Sequence, residues 1–446
     1  MSLENPRIVL IGAGSAQFGY GTLGDIFQSE IFRKRDAHIV LHDINPKTMA
    51  TVAKTGQEFI ESHQLPFTIS ATTDRKEALA GADFCIISIE IGNRFELWEQ
   101  DWQVPLQYGM RQVYGENGGP GGFFHSLRII PPILEICGDI AEICPNAFIF
   151  NFSNPMSRIC TTVHLKYPGL KFIGLCHEIA SLERHLPKIL DIPFEKLNVQ
   201  AGGLNHFSVM LEVRHQETGE DLYPEVMEKA PAYFKDLAQP LLSPQEQQGE
   251  ESVPLRKGAW HERGLFRTIM EKFNLLPITT DSHFGEYIPW AYETVDHKGI
   301  LDFYNAYKVY VMNSQPRIAL KLTERVVPIM EGILEDESYI EAAVNIPNQG
   351  FIADLPNFIA VEVPATISKN GIQGIPIGDM LPPGFTGLLQ NQVAIHRLTA
   401  ETVLSGSRDV ALQALLVDPI VDKVAAADKM LSHMLEIQNK YLGYIR

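Results

Sequence analysis

Along the first two hundred positions, short runs of apolar residues alternate with longer stretches of mixed character. RIVLIGAGSAQFGYGTLGDIF, from Arg7 onward, reads as a buried strand, a glycine-rich turn and a helix. HIVLHDI (38–44) supplies a second strand and ADFCIISIEIG (82–92) a third. AFIFNFSNP (147–155) and LKFIGLCHEI (170–179) supply a fourth and a fifth. FHSLRIIPPILEICGDIAEICP (124–145) predicts a helix with a proline pair inside. Strands that alternate with helices pack as a parallel sheet, so the expected class is α/β, a Rossmann-like doubly wound fold.

From about residue 196 the pattern changes. VQAGGLNHFSVMLEVRH has strand character, and residues 216 to 258 are polar and proline-rich, which predicts loops and short helices. Later segments read as helical, broken by VNIPNQGFIADLPNFIAVEVPATI (344–367), which has strand and turn character. We therefore expect a dinucleotide-binding domain over 1–195 and a second, mixed α+β domain over 196–446 that carries substrate, metal and oligomer contacts.

Length and charge narrow the partners. The chain has 446 residues and a formal net charge of −17, so it repels nucleic acid and anionic membrane surfaces. No run of about 18 apolar residues is present to span a bilayer, and no basic-then-apolar leader opens the chain. The five cysteines form no CxxC pair. Together these predict a cytoplasmic protein with reduced thiols.

The first turn holds candidate chemistry. GAGSAQ (12–17) carries two of the three glycines of a dinucleotide fingerprint, Gly12 and Gly14, with Gln17 in the third place. Ser15, Ala16 and Gln17 open the helix whose free N–H groups would face a pyrophosphate. Asp43 closes the second strand, where a carboxylate accepts hydrogen bonds from ribose hydroxyls and disfavours an extra phosphate. That pattern points to NAD, and hydride transfer is the use that follows.

In open parallel sheets ligands sit beyond the carboxyl ends of strands. Those ends carry Arg94, Asn151 and Asn154, and the run Cys176, His177, Glu178. YGENGGPGG brings Glu116, and GGLNH brings Asn205 and His206. Cys176 and His206 could share a divalent metal, or be a buried thiol and a core histidine; spacing alone favours the second. TTDSHFGEYIPW concentrates Asp281, His283, Glu286 and Tyr287, and equally reads as a helix start capped by Asp281 or Ser282. NIPNQG reads as a turn, with Asn348 and Gly350 taking its unusual backbone angles.

Taken in order, IGAGSAQF, IGNR, YGENGGPGG, NFSNPM, GLCHEI, GGLNH, HFGEYIPW and NIPNQGFIADLP resemble the family 4 glycoside hydrolases over nearly the whole chain. The resemblance implies tightly held NAD and a divalent metal, usually manganese, in place of the usual pair of catalytic carboxylates. It implies oxidation at sugar carbon 3, loss of the carbon 2 proton, elimination of the leaving group, return of water and reduction, with no net use of NAD. By the same resemblance Cys176 and His206 hold the metal, although thiolate softness would suit zinc or iron better. His177 is the leaving-group acid. Tyr287 is the first candidate for the base and His283 the second. Asn154 meets the cofactor and sugar hydroxyls, Glu116 and Arg94 face the substrate, and a dimer or tetramer is expected.

Within that family the residues after the cysteine track the sugar. CHEI (176–179) resembles the α-galacturonidases, so the expected substrates are small galacturonides, with Glu178 against an axial hydroxyl or orienting His177, and Arg94, Arg111 or an arginine of a partner subunit as receivers for the uronate. An α-galactosidase, α-glucosidase or α-glucuronidase is the near alternative. A lactate- or malate-type dehydrogenase without metal is the distant one.

Overall fold

The structure is a computed structural model that describes residues 4–176, 182–237, 264–314, 316–335 and 338–446. His177 and Glu178, expected as acid and substrate contact, lie outside the described residues.

Six strands form a parallel array: β1 (Arg7–Ile11), β2 (His38–His42), β3 (Thr68–Thr72), β4 (Phe84–Ile87), β5 (Phe148–Asn151) and β6 (Lys171–Gly174). Their order is β3-β2-β1-β4-β5-β6, so the chain reverses direction across the sheet between β1 and β4. The crevice outside that reversal is where such folds bind dinucleotides. Apolar side chains go to both faces in alternation. Ile8, Leu10, Ile39, Leu41 and Ile86 join one core, and Val9, Ile11, Val40, Cys85 and Ile87 the other. That two-sided burial is why these strands read as unbroken apolar runs.

β3 escaped the sequence reading. TISAT is largely polar, and its residues are exposed or half-buried at the edge of the sheet. A polar edge also discourages pairing with other chains. The helix expected from residue 124 begins earlier, at Gly119, and runs to Ile143 with Pro131 and Pro132 inside it. Its first turn tolerates Pro120 because the N–H that proline lacks has no helical partner there. The polar stretch after 216 holds a 15-residue helix, Tyr223–Leu237, where short ones were expected.

The later strands do not form a sheet of their own. β7 (Leu197–Leu204), β8 (Phe207–His215), β9 (Tyr339–Pro347), β10 (Ala360–Ser368) and β11 (Gly371–Gly374) pair antiparallel. β9 then joins β6 through Gly174 and Asn345, which makes one 11-stranded mixed sheet. The β7–β8 hairpin turn is thereby held within reach of the β6 exit. No helix among the described residues is long and apolar enough to cross a membrane.

Candidate active site

At the exit of β1, Gly12 has φ 89°, and a Cβ there would collide with the Ser88 carbonyl beyond β4. Only glycine fits. The helix Ala16–Gln28 follows, with Ser15 at its N-cap making no side-chain capping bond and no acid in its first turn. Its leading N–H groups are therefore disposed toward an anion. Asp43 is fixed beyond β2: Gly14 N donates to Oδ2 and Asn45 N to Oδ1, each at 2.8 Å. Each oxygen keeps a further lone pair for a hydroxyl. Gln17 points elsewhere, its Nε2 donating to Ser314 Oγ at 3.2 Å. Gly19 performs the close-packing task of a third fingerprint glycine, since a Cβ there would strike the Ala13 carbonyl.

Cys176 and His206, thirty residues apart, meet. Sγ lies 3.5 Å from Nε2. Cys176 is half-buried, whereas Cys85, Cys137, Cys144 and Cys160 are buried. His206 sits in the β7–β8 turn with a left-handed φ of 62°. Its neighbour Asn205 is tied on three sides. Asn205 N donates to Ser157 Oγ at 3.0 Å, Nδ2 donates to Glu362 Oε2 at 3.0 Å, and its carbonyl accepts from Tyr287 Oη at 3.3 Å. Glu362, buried in β10, also accepts from Ser208 Oγ and Asn345 Nδ2. A buried carboxylate needs such donors, and here they anchor the turn that presents the imidazole.

The residues expected around this pair fall into two groups. His283 is close: its ring centroid lies 4.6 Å from that of His206, and Nδ1 is 3.6 Å from Glu116 Oε2. Glu116 is buried and receives Arg94 Nη2 at 3.3 Å on its other oxygen. Arg94 also donates to Tyr307 Oη at 3.3 Å, lies 3.8 Å from Glu90 and stacks over Trp98. Asn154, joined to Pro155 by a cis peptide, has a buried Oδ1 without a hydrogen-bond partner among the described residues. Tyr287 is 4% exposed and stacked on Phe207 at 4.8 Å, and its hydroxyl donates to the carbonyl of Asn205, next to His206. Arg111 is 64% exposed and paired with Glu293.

Two expectations about local structure change. The helix Asp281–Phe284 is capped by Thr280, whose side chain accepts from His283 N. Asp281 instead accepts from Leu265 N and Phe266 N, at the start of the helix Gly264–Phe273. In the NIPNQG turn Gly350 has φ 87°, while Asn348 works through its buried amide, which donates to the carbonyls of Ile352 and Leu355.

Sequence reasoning passed over Glu286 as a helix residue. Its carboxylate, wholly buried, accepts from Glu116 N at 2.5 Å, Asn117 N at 3.0 Å and Gly118 N at 3.1 Å. Burial pushes this carboxyl up to about 8, against three backbone donors that favour its charge. The glycine-rich loop is thus pinned from 170 positions away. Asn117 was also missed; its amide lies 2.7 Å from His206 Nδ1. No local pattern announces either contact.

Cys176 and His206 fit a shared metal. Ligands at about 2.3 Å (S) and about 2.1 Å (N) from one ion stand roughly 3.1–3.6 Å apart at ordinary angles, which brackets the observed spacing. Two protein ligands would leave positions on the ion for substrate and water.

Known proteins share this arrangement of parts. Residues 7–192 match family 4 glycosyl hydrolase, and residues 201–421 match the family 4 glycosyl hydrolase C-terminal domain. An alpha-glucosidase of Erwinia rhapontici is 57% identical over 454 aligned positions, 99% of each chain. An alpha-galacturonidase of Bacillus subtilis (strain 168) is 27% identical across 98% of each chain. The solved structure of a 6-phospho-alpha-glucosidase from gut microorganisms, in complex with NAD and Mn2+, has a TM-score of 0.75 over 98% of this chain and 99% of that one. At 21% identity it shows a shared fold. With both parts matched in order, this chain belongs to the family 4 glycosyl hydrolases.

Proposed function

We propose that this enzyme hydrolyses unphosphorylated α-glucosides, using NAD and a divalent metal, with Mn2+ as the first candidate. The observation that carries the reading is the approach of Cys176 to His206 at the sheet end that also bears the Gly12–Asp43 cradle. When bound, NAD supplies a reversible hydride acceptor and the metal a Lewis acid. The chain's own groups do the rest. Asn154 Oδ1, buried and without a partner among the described residues, accepts a sugar or ribose hydroxyl. Glu116, held by Arg94, accepts a second hydroxyl. His283 takes the proton from carbon 2, with Glu116 orienting the ring. Tyr287 is less suited to that task, since its hydroxyl already donates to a backbone carbonyl in the core.

The sugar assignment rests on two supports. One is the 57% identity to an alpha-glucosidase, against 27% to an alpha-galacturonidase. The other is charge. Of the two arginines expected to receive a uronate, Arg94 is engaged by Glu116 and Glu90, and Arg111 is paired with Glu293 on the surface. A carboxylate brought to Arg94 would meet two acids first. A neutral hexose meets no such repulsion. The reading keeps the enzyme in the reducing cytoplasm, which protects the Cys176 thiol. It also keeps a homo-oligomer, because Leu301, Val309, Tyr310 and Met312 are exposed along one helix, His297–Asn313.

The test is a panel of nitrophenyl α-glycosides of glucose, galactose, galacturonate and glucuronate, with NAD, Mn2+ and a thiol reductant. The α-glucoside should show the highest kcat/KM, and chelation or Cys176→Ser should abolish its cleavage. A galacturonide cleaved faster would restore the CHE-based assignment. Cleavage that survives both chelation and the serine variant would refute the metal site.

A further inference from the structure

We infer that Asn117 is a positioning residue that fixes the tautomer of His206. Its amide oxygen accepts the Nδ1–H of His206, which leaves the Nε2 lone pair directed toward Cys176 and the metal. The inference rests on the reading above that Cys176 and His206 share a metal ion.

A neutral imidazole has one N–H and one lone pair, and the partner of one nitrogen decides the state of the other. His206 Nε2 faces Cys176 Sγ at 3.5 Å, and Nδ1 lies 2.7 Å from the Asn117 amide. Nitrogen and oxygen of an amide exchange places by a half-turn of the side chain, so chemistry must decide which one faces the ring. With Nδ2 against the ring, Nδ1 has to be the acceptor, and the proton falls on Nε2, where it blocks a metal bond. That orientation also leaves Asn117 Oδ1 buried without a hydrogen-bond partner among the described residues. With the amide turned over, Oδ1 accepts from Nδ1–H and Nε2 is free to ligate. A carbonyl or carboxylate behind a ligating imidazole is the usual way such a ring is oriented.

Asn117 is placed for this by its backbone. It is 2% exposed, and its N–H is the middle one of the three that Glu286 holds. Across the ring, the β7–β8 turn is tied through Asn205 to Ser157 and Glu362. The imidazole is therefore clamped between two anchored loops, and Asn117 acts through His206.

Mn2+ affinity of the NAD-loaded protein, read from the free-ion EPR signal, tests this on wild type, Asn117→Leu, Asn117→Asp and Cys176→Ser. NAD affinity and thermal unfolding serve as controls of the fold. Asn117→Leu should weaken Mn2+ binding about 10- to 100-fold with NAD affinity unchanged. Asn117→Asp should restore it, because a carboxylate accepts from Nδ1–H and cannot donate to Nδ1. Wild-type affinity in the leucine variant, or equal weakening in the aspartate variant, overturns the inference. If the leucine variant does not fold, Asn117→Ala against Asn117→Asp gives the same comparison. Wild-type Mn2+ affinity in Cys176→Ser sinks the metal reading itself, a result distinct from either failure of Asn117.

Discussion

At the scale of single residues, position and protonation separate groups that look alike in the sequence. His283 and Tyr287 stand four apart, yet one borders Glu116 and His206 and the other is stacked in the core. His283→Ala should lower kcat by about 10²–10⁴ with little change in KM, as removal of a general base does. Tyr287→Phe should keep most of the turnover; steady-state rates on the preferred glycoside that show the reverse order would return the base to Tyr287. Buried acids elsewhere set pH dependence. Burial pushes Asp418 up to about 6, with the Ile420 N–H and nearby Arg158 only partly opposing it. The folded state then holds a proton that the unfolded chain has released, so this group's stabilisation is present below about pH 4 and is lost as pH rises to about 6. Urea titrations at pH 4 and pH 6 should show a smaller difference for Asp418→Asn than for wild type.

At the scale of elements, periodicity was legible and pairing was not. Strands β1, β2, β4, β5 and β6 announced themselves because burial on both faces leaves an unbroken apolar run. β3 did not, since an edge strand needs no such run. The glycine fingerprint looked broken at Gln17, but the helix bends that requirement to Gly19, where only a hydrogen fits against the Ala13 carbonyl. Gly19→Ala should push the helix Ala16–Gln28 off β1 and weaken NAD binding by tenfold or more, on the order of 1.4 kcal/mol. Calorimetric titration with NAD measures it, and an unchanged affinity would show that Gly19 is a passive spacer.

At the scale of the whole molecule, the single sheet couples the two expected domains. β6 and β9 pair across the 195/196 division, so neither half can expose its strand edge without loss to the other. Differential scanning calorimetry should therefore show one cooperative transition for the NAD-free protein, and two resolved transitions would mean that the halves unfold independently. The same continuity brings the Gly12–Asp43 turn and the Cys176–His206 pair to one end of the sheet. A glycoside deuterated at carbon 2 should lose label to solvent or react more slowly. Full retention of label at an unchanged rate would exclude proton abstraction there.

The sequence by itself determined the parallel α/β half, the dinucleotide turn and the ordered motifs that resemble one hydrolase family, because these depend on local periodicity and short-range backbone demands. Through that resemblance it also offered Cys176 and His206 as metal ligands, Glu116 for the substrate, and Tyr287 ahead of His283 as base. Only the tertiary structure decided which of these meet. Glu286 reaches the loop at Glu116–Gly118, Glu362 holds the His206 turn, and Asn117 stands behind the imidazole, each across many positions of chain. Buried polar groups must find partners wherever the fold brings them, and that demand leaves no periodic trace in the sequence.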